Sequence, residues 1–253
     1  MNEQKNERWE IAQTHEKAVW DSIDEKFLLE HSKNYSVKSQ KILEEAKEKF
    51  KDLKKIKTLQ IGCGPLDVIN EIKIGEKHSI DPLADFYKEK FKFDYNKTNL
   101  VKGVGENLPY KDDYFDIVIF ANVLDHTSNP EKVLSEIKRV LKPEGIVWLE
   151  AHFYQKGFIW LAKPYGFFKK ALTGEIFNPC HPYMFQLNEL KNMISKDFHI
   201  SNEKIGEDIE KKLKDLSDVR ECLKKEKFTR RFPAKFGLLG IINYSCICKK
   251  KLN

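Results

Sequence analysis

Apolar residues recur at helical spacing from about Glu7 to Lys55, through Trp9, Ala12, Ala18 and Trp20 and then Val37, Ile42, Leu43 and Ala46. The period then shortens. The runs IKTLQIG from Ile56, HSID from His78, LVKGV from Leu100, FDIVIFA from Phe115 and GIVWLEA from Gly145 read as five strands. Between them PLDVINEI, PLADFYKEKF and NPEKVLSEIKRVLK read as helical or turn stretches. The last of these opens on Asn129-Pro130 and stops at Lys142-Pro143-Glu144-Gly145. Strand alternating with helix predicts a parallel sheet covered by helices on both faces. Two later runs, FHISNEKIG from Phe198 and GLLGIINYSCICKK from Gly237, lack the short helical crossover of parallel neighbours. They predict an antiparallel pair that closes the sheet around a charged helical insert at about 207–227. The expected organisation is an N-terminal helical cap over 1–56 and an α/β domain over 57–253.

Composition narrows the class. Hydrophobic residues make up 41% of the 253, a globular proportion. The net charge of +6 comes largely from lysines that alternate with glutamates along helices, which reads as solvated helix face and not as a nucleic-acid groove. The polar start MNEQKNERWE holds no apolar core of a leader, and GFIWLAKPYGFF is too short to span a bilayer. The five cysteines, 63, 180, 222, 246 and 248, form no CxxC pair; Cys246 and Cys248 are expected on the two faces of a strand. The set reads as reduced thiols in a cytoplasmic protein.

The chemistry begins at LQIGCGPLD. Two of only 12 glycines, Gly62 and Gly64, flank Cys63 where an apolar run stops. Glycines there allow a tight turn and let a ligand lie against bare backbone. The second strand ends in Asp81, 17 residues beyond Gly64, where a carboxylate can accept hydrogen bonds from both hydroxyls of a ribose. A dinucleotide fingerprint would need a third glycine where Asp67 stands, and that charge would repel a pyrophosphate. No G-x-x-x-x-G-K-[ST] cradle is present either. An adenosine ligand without phosphates fits best.

Here the stretch from about Lys57 to Ala151 resembles the class I S-adenosylmethionine-dependent methyltransferases, with four motifs in register. By that resemblance the fold is Rossmann-like and doubly wound, a mostly parallel seven-stranded sheet. LQIGCGP (Gln60, Gly62, Cys63, Gly64) lines the methionine part of S-adenosyl-L-methionine, and Asp81 with Pro82 in IDP reaches the ribose. Within GVGENLPYKDDYFDIVIFANVLDH, Gly105 and Glu106 lie beside the adenine and Asn122 under the cofactor. EIKRVLKPEGIVWLE is similar to the helix, turn and strand that follow in the family. Two positions depart from the family: Gln60 replaces an acid and Leu66 a frequent third glycine. A catalytically silent cofactor-binding partner protein is the alternative that this departure keeps open.

Methyl transfer from a sulfonium is an in-line displacement in which positioning supplies most of the catalysis. A hydroxyl acceptor also needs a base, and histidine suits that role. His15, His31, His78 and His199 lie away from the carboxyl edge of the expected sheet. His126 in NVLDH, His152 in EAHF and His181 in FNPCHPYMF are the candidate bases. The segment at about 153–185, rich in Phe, Tyr, Trp and Lys, is expected to form either a packed loop and helix that shield the sheet edge or a lid with an aromatic wall suited to sugar rings or bases. A basic amphipathic patch resting on a membrane is its weaker alternative. No N-P-P-[YF] follows the fourth strand, which argues against exocyclic amines of bases, and Asp125 alone is thin support for metal-dependent catechol-type chemistry, which wants clustered carboxylates there. The expectation is O-methylation of a sugar or sugar-like acceptor, nucleotide-linked sugars included, by a histidine base without a metal. N- or O-methylation of another small metabolite is the runner-up. Trp9, Glu16 and Trp20 are expected to face the cofactor from the cap.

Overall fold

The computed structural model of the protein describes residues 2–70, 72–206 and 241–251. The fourth strand, β4 (Phe115–Ala121), shows how the sequence builds the layers. Ile117 and Ile119 point to one face and Val118 and Phe120 to the other, all fully buried. It pairs in parallel with β1 (Lys57–Ile61) and β5 (Leu141–Tyr154). β2 (Glu76–Asp81) and β3 (Leu100–Lys102) extend the parallel side, while β6 (Phe198–Gly206) and β7 (Ile241–Lys250) form an antiparallel pair at the other end. The seven-stranded sheet runs β3-β2-β1-β4-β5-β7-β6. Strand order reverses between β1 and β4, which leaves a crevice at their carboxyl ends.

Helices cover both faces. α2 (Glu25–Lys49) sets Ile42 and Ala46 against Ile117, Ile119, Ile146 and Ile247. On the other face α4 (Pro130–Val140) and α6 (Leu187–Asp197) pack Val133, Leu134, Ile137, Leu190 and Ile194 against Val118, Phe120 and Leu149. α3 (Ala84–Lys90) buries Tyr87 beside Phe91 and Leu28. α1 (Asn2–Asp21) is separated from α2 by a short break at which Asp24 caps α2, its side chain accepting from the Phe27 amide. α5 (Lys156–Thr173) follows β5 directly and ends on Gly174 in the left-handed region.

Three expectations change in detail. The stretch PLDVINEI forms turns over residues 65–70, where Val68 and Ile69 plug the α2 side of the core. Helix α4 stops at Val140 and β5 starts at Leu141, ahead of Gly145, with an irregular register opposite Phe115. Cys246 and Cys248 share one face of β7, their sulfurs 3.4 Å apart, because residues two apart in a strand point the same way. The charged insert expected at 207–227 lies outside the described residues.

Candidate active site

The carboxyl ends of β1, β2 and β4 open into a cleft of about 800 Å³. Gln60, Gly62, Cys63, Gly64, Asp81, Pro82, Gly105, Glu106 and Asn122 all line it. Gly62 and Gly64 sit at φ of 65° and 64°, a backbone that glycine adopts without strain. A Cβ on Gly62 would come within 2.5 Å of the Val123 side chain, whereas one on Gly64 would meet nothing closer than 3.8 Å, at Trp20. Gly62 is therefore required by the loop after β4 as much as by any ligand. Asn122 takes the left-handed region too, at φ 58°, and its amide donates to the Glu150 carbonyl.

The buried Asp81 carboxylate organises this end. Its Oδ2 accepts from the Gly64 amide at 3.0 Å and its Oδ1 from the Leu83 amide at 2.8 Å. Burial pushes its pKa up to about 6; the two backbone hydrogen bonds oppose the shift and the nearby Glu16 charge adds to it. Burial also pushes the Cys63 thiol well up, with the charges of Asp67 and Asp81 adding, which leaves it unreactive. Two residues that line the cleft each commit one side-chain oxygen to holding a loop. Gln60 Oε1 accepts from the Ile69 amide at 3.3 Å. Glu106 Oε1 accepts from the Ser128 amide and hydroxyl and the Asn129 amide, at 2.7, 2.8 and 3.1 Å. Asp67 turns to the Thr98 hydroxyl and does not itself line the cleft, although its charge reaches Cys63 and Asp81 there.

Helix α1 crosses the open side. Trp9, Gln13, Glu16 and Trp20 line the cleft, and Trp20 donates to Glu16 Oε1 at 2.9 Å. At one end Trp20 packs edge-on against Tyr87. At the other, Arg8 donates to the carbonyls of Asn178, Pro179 and His181 at 2.7, 2.7 and 3.2 Å. The aromatic residues of the cleft thus come from α1, through Trp9 and Trp20, and from Tyr87, Trp148 and Tyr244. No residue of 153–185 lines this cleft, and Trp160, Phe167 and Phe168 of α5 face outward.

The three histidines expected to act as base converge on one carboxylate that sequence reasoning set aside. Asp125, 1% exposed, lies 2.7 Å from His181 Nδ1 through Oδ2. His152 Nδ1 is 3.8 Å from that same oxygen, and His126 Nε2 is 3.8 Å from Oδ1. The rings of His126 and His181 stand 4.3 Å apart, and His126 Nδ1 faces Glu16 at 3.7 Å. Of the three, His126 lines the cleft. Asp125 Oδ1 and His152 Nδ1 are buried with no hydrogen-bond partner among the described residues.

Electrostatics separates the histidines. Burial opposes charge on His181, but the hydrogen bond and charge of Asp125 outweigh it and raise its pKa above the ordinary value. Burial lowers the pKa of His126; Asp125 opposes this and the His181 charge reinforces it. Burial works against the Asp125 charge as well, yet its histidine neighbours hold it well below the usual carboxylate range. Asp125, His126 and His181 offer ligand atoms within 4.8 Å of one another, a set able to take a divalent ion. Two donors on one tetrahedral zinc would stand about 3.3 Å apart at bond lengths near 2.0–2.1 Å. The 2.7 Å between Asp125 and His181 is instead a hydrogen bond.

Sequence reasoning missed Asp125 and Arg8. NVLDH places Asp125 beside His126, but its role depends on a loop 56 residues further along the chain. No local signal marks Arg8.

Residues 59–149 match the family model described as Methyltransferase domain. The chain is similar to the uncharacterized protein MJ1123 of Methanocaldococcus jannaschii, 35% identical over 86 residues, which cover 34% of this chain and 38% of that protein. It is similar as well to the ubiquinone biosynthesis O-methyltransferase of Rickettsia prowazekii, 26% identical over 135 residues, covering 50% of this chain and 52% of that enzyme. The matches thus span about half or less of the length of these curated relatives. The solved structure of YcgJ from Bacillus subtilis shares the fold, with a TM-score of 0.52 at 16% identity over 85% of this chain and 98% of that one.

Proposed function

We propose that this chain, whose residues 59–149 form a methyltransferase domain of the class I, S-adenosylmethionine-dependent type, methylates a hydroxyl of a small acceptor with His181 as general base. The observation that carries the base is the 2.7 Å hydrogen bond between His181 Nδ1 and the buried Asp125. A carboxylate on Nδ1 fixes the tautomer that leaves the Nε2 lone pair able to take a proton. His126, held neutral by burial, lines the cleft and contacts the acceptor. His181, its ring 4.3 Å behind that of His126 and outside the cleft lining, takes the acceptor's proton through one bridging water, and Asp125 is a positioning residue. Gly62, Gly64, Gly105 and Asn122 cradle the cofactor while Asp81 accepts from its ribose hydroxyls. Trp9 and Trp20 set among Glu16, Lys38, Glu150 and Asn243 give the cleft the mixture of flat apolar and polar groups that suits a sugar-like acceptor.

His181→Ala lowers turnover by roughly 10²–10⁴-fold and leaves cofactor affinity intact. Because the base works unprotonated and its pKa is raised, activity rises with pH through a group above about 6.5. Asp125→Asn moves that limb to lower pH. Near-normal turnover of His181→Ala at saturating acceptor would refute the base, and loss of activity on chelation would assign the cluster to a metal ion.

A further inference from the structure

We propose that α5 is a surface anchor that lies on an anionic lipid bilayer. Its residues Ile159 and Ala162 turn inward and are 7% and 1% exposed. The opposite side would ordinarily be polar. Instead Trp160, Leu161, Phe167, Phe168 and Leu172 stand between 48% and 83% exposed. At 3.6 residues per turn these five side chains share one stripe along the helix. Pro164 lies exposed within the same stripe.

Charge points to the occupant. Lys156, Lys163 and Lys170 recur along one border of the stripe and are all exposed. Lys169 is half-buried and pairs with Glu175, while the helix itself contains no Asp or Glu. A stripe of Trp, Phe and Leu edged by lysine is the chemistry of a helix that sinks its apolar face into the acyl boundary and keeps its ammonium groups among anionic headgroups. Among the described residues no helix is long and apolar enough to cross a membrane, so α5 lies on the bilayer and does not span it. It begins directly after β5, which carries His152, and leads into the loop that carries His181.

The test is cosedimentation of the full chain with phosphatidylcholine vesicles, with and without phosphatidylglycerol. Binding is expected with phosphatidylglycerol and should weaken as salt is raised. The combined variant Trp160→Ser, Phe167→Ser, Leu172→Ser should bind at least about tenfold more weakly, because three large apolar groups no longer enter the membrane. Its cofactor affinity should not change, which shows that it is folded. Lys156→Glu, Lys163→Glu, Lys170→Glu together should abolish the preference for phosphatidylglycerol. Failure to bind either vesicle overturns the proposal. So does pelleting or dimer formation that needs no vesicles and is lost in the serine variant, which would assign the stripe to a second copy of the chain.

Discussion

Each oxygen of the Asp81 carboxylate already accepts one backbone hydrogen bond, from Gly64 and from Leu83, and each keeps a lone pair for a ligand. Burial nonetheless raises its pKa to about 6, so the unliganded site is part-protonated in mildly acidic solution. Ribose hydroxyls donating to it would favour the ionised form, and binding should therefore release a proton near that pH. Affinity for S-adenosylhomocysteine should fall as pH drops below about 6. Asp81→Ala should weaken binding by roughly 1.5–3 kcal/mol, about ten- to more than a hundredfold, and flatten that dependence. Calorimetry in two buffers of different ionisation enthalpy reads both effects; an absence of proton uptake or release would take the ribose role from Asp81. Residues of this kind were legible because strand ends are local: Gly62, Gly64 and Asp81 are marked by where apolar runs stop. Asp125 and Arg8 were not, since their partners come from chain 56 and about 170 positions away. Gln60 and Glu106 line the cleft, and each also accepts a hydrogen bond that ties a loop, a duty that only tertiary packing reveals.

Helix α4 shows what makes an element readable. Asn129 caps it by accepting from the Lys132 amide, Pro130 opens it, and Val133, Leu134, Ile137 and Val140 form its buried stripe. The connection from β1 to β2 carries similar apolar residues, but its chain is held by single bonds such as Ile69 to Gln60, and it stays in turns. Sequence pattern cannot separate those cases when the run is short. On α4 the buried Glu136 receives Arg139 in two hydrogen bonds of 2.9 and 2.8 Å and the Leu108 amide at 3.0 Å. This ties the helix to the loop that carries Gly105. Arg139 chiefly, with Leu108 helping against the effect of burial, lowers the Glu136 pKa to about 2. A depressed carboxylate gives stability that is present above its unfolded pKa of about 4.3 and lost as pH falls toward the folded value. Glu136→Gln should therefore cost about 1.5–3 kcal/mol at neutral pH and little near pH 2 in urea titrations. An equal cost at both would mean that packing, not charge, holds the clamp.

At the scale of the molecule, the sheet converges its carboxyl ends on one cleft and α1 bridges that cleft from the α3 side to the His181 loop. Lys17 stands over the Phe86 ring at 5.3 Å, Glu16 faces His126 at 3.7 Å and Arg8 holds three carbonyls beyond it. Yet α1 adds only Ala12 to the buried apolar residues described. It should matter for ligand retention and hardly at all for the stability of the sheet. Removing residues 1–21 keeps the Asp24 cap of α2 and tests this directly. The full chain with S-adenosylhomocysteine at a hundred times its Kd gains about 2.7 kcal/mol, a rise in Tm of roughly 5–10 °C for a chain of this size. The shortened chain should melt within about 2 °C of the full chain when unliganded, since surface groups away from the core contribute little. At the same ligand concentration its shift should be smaller by about 1.4 kcal/mol for every tenfold loss of affinity, roughly 3–5 °C. A ligand-induced shift that survives the truncation unchanged would reduce α1 to a packed appendage and leave the cofactor to the sheet edge alone. A large fall in the unliganded Tm would instead make α1 part of the core, in contradiction to its burial.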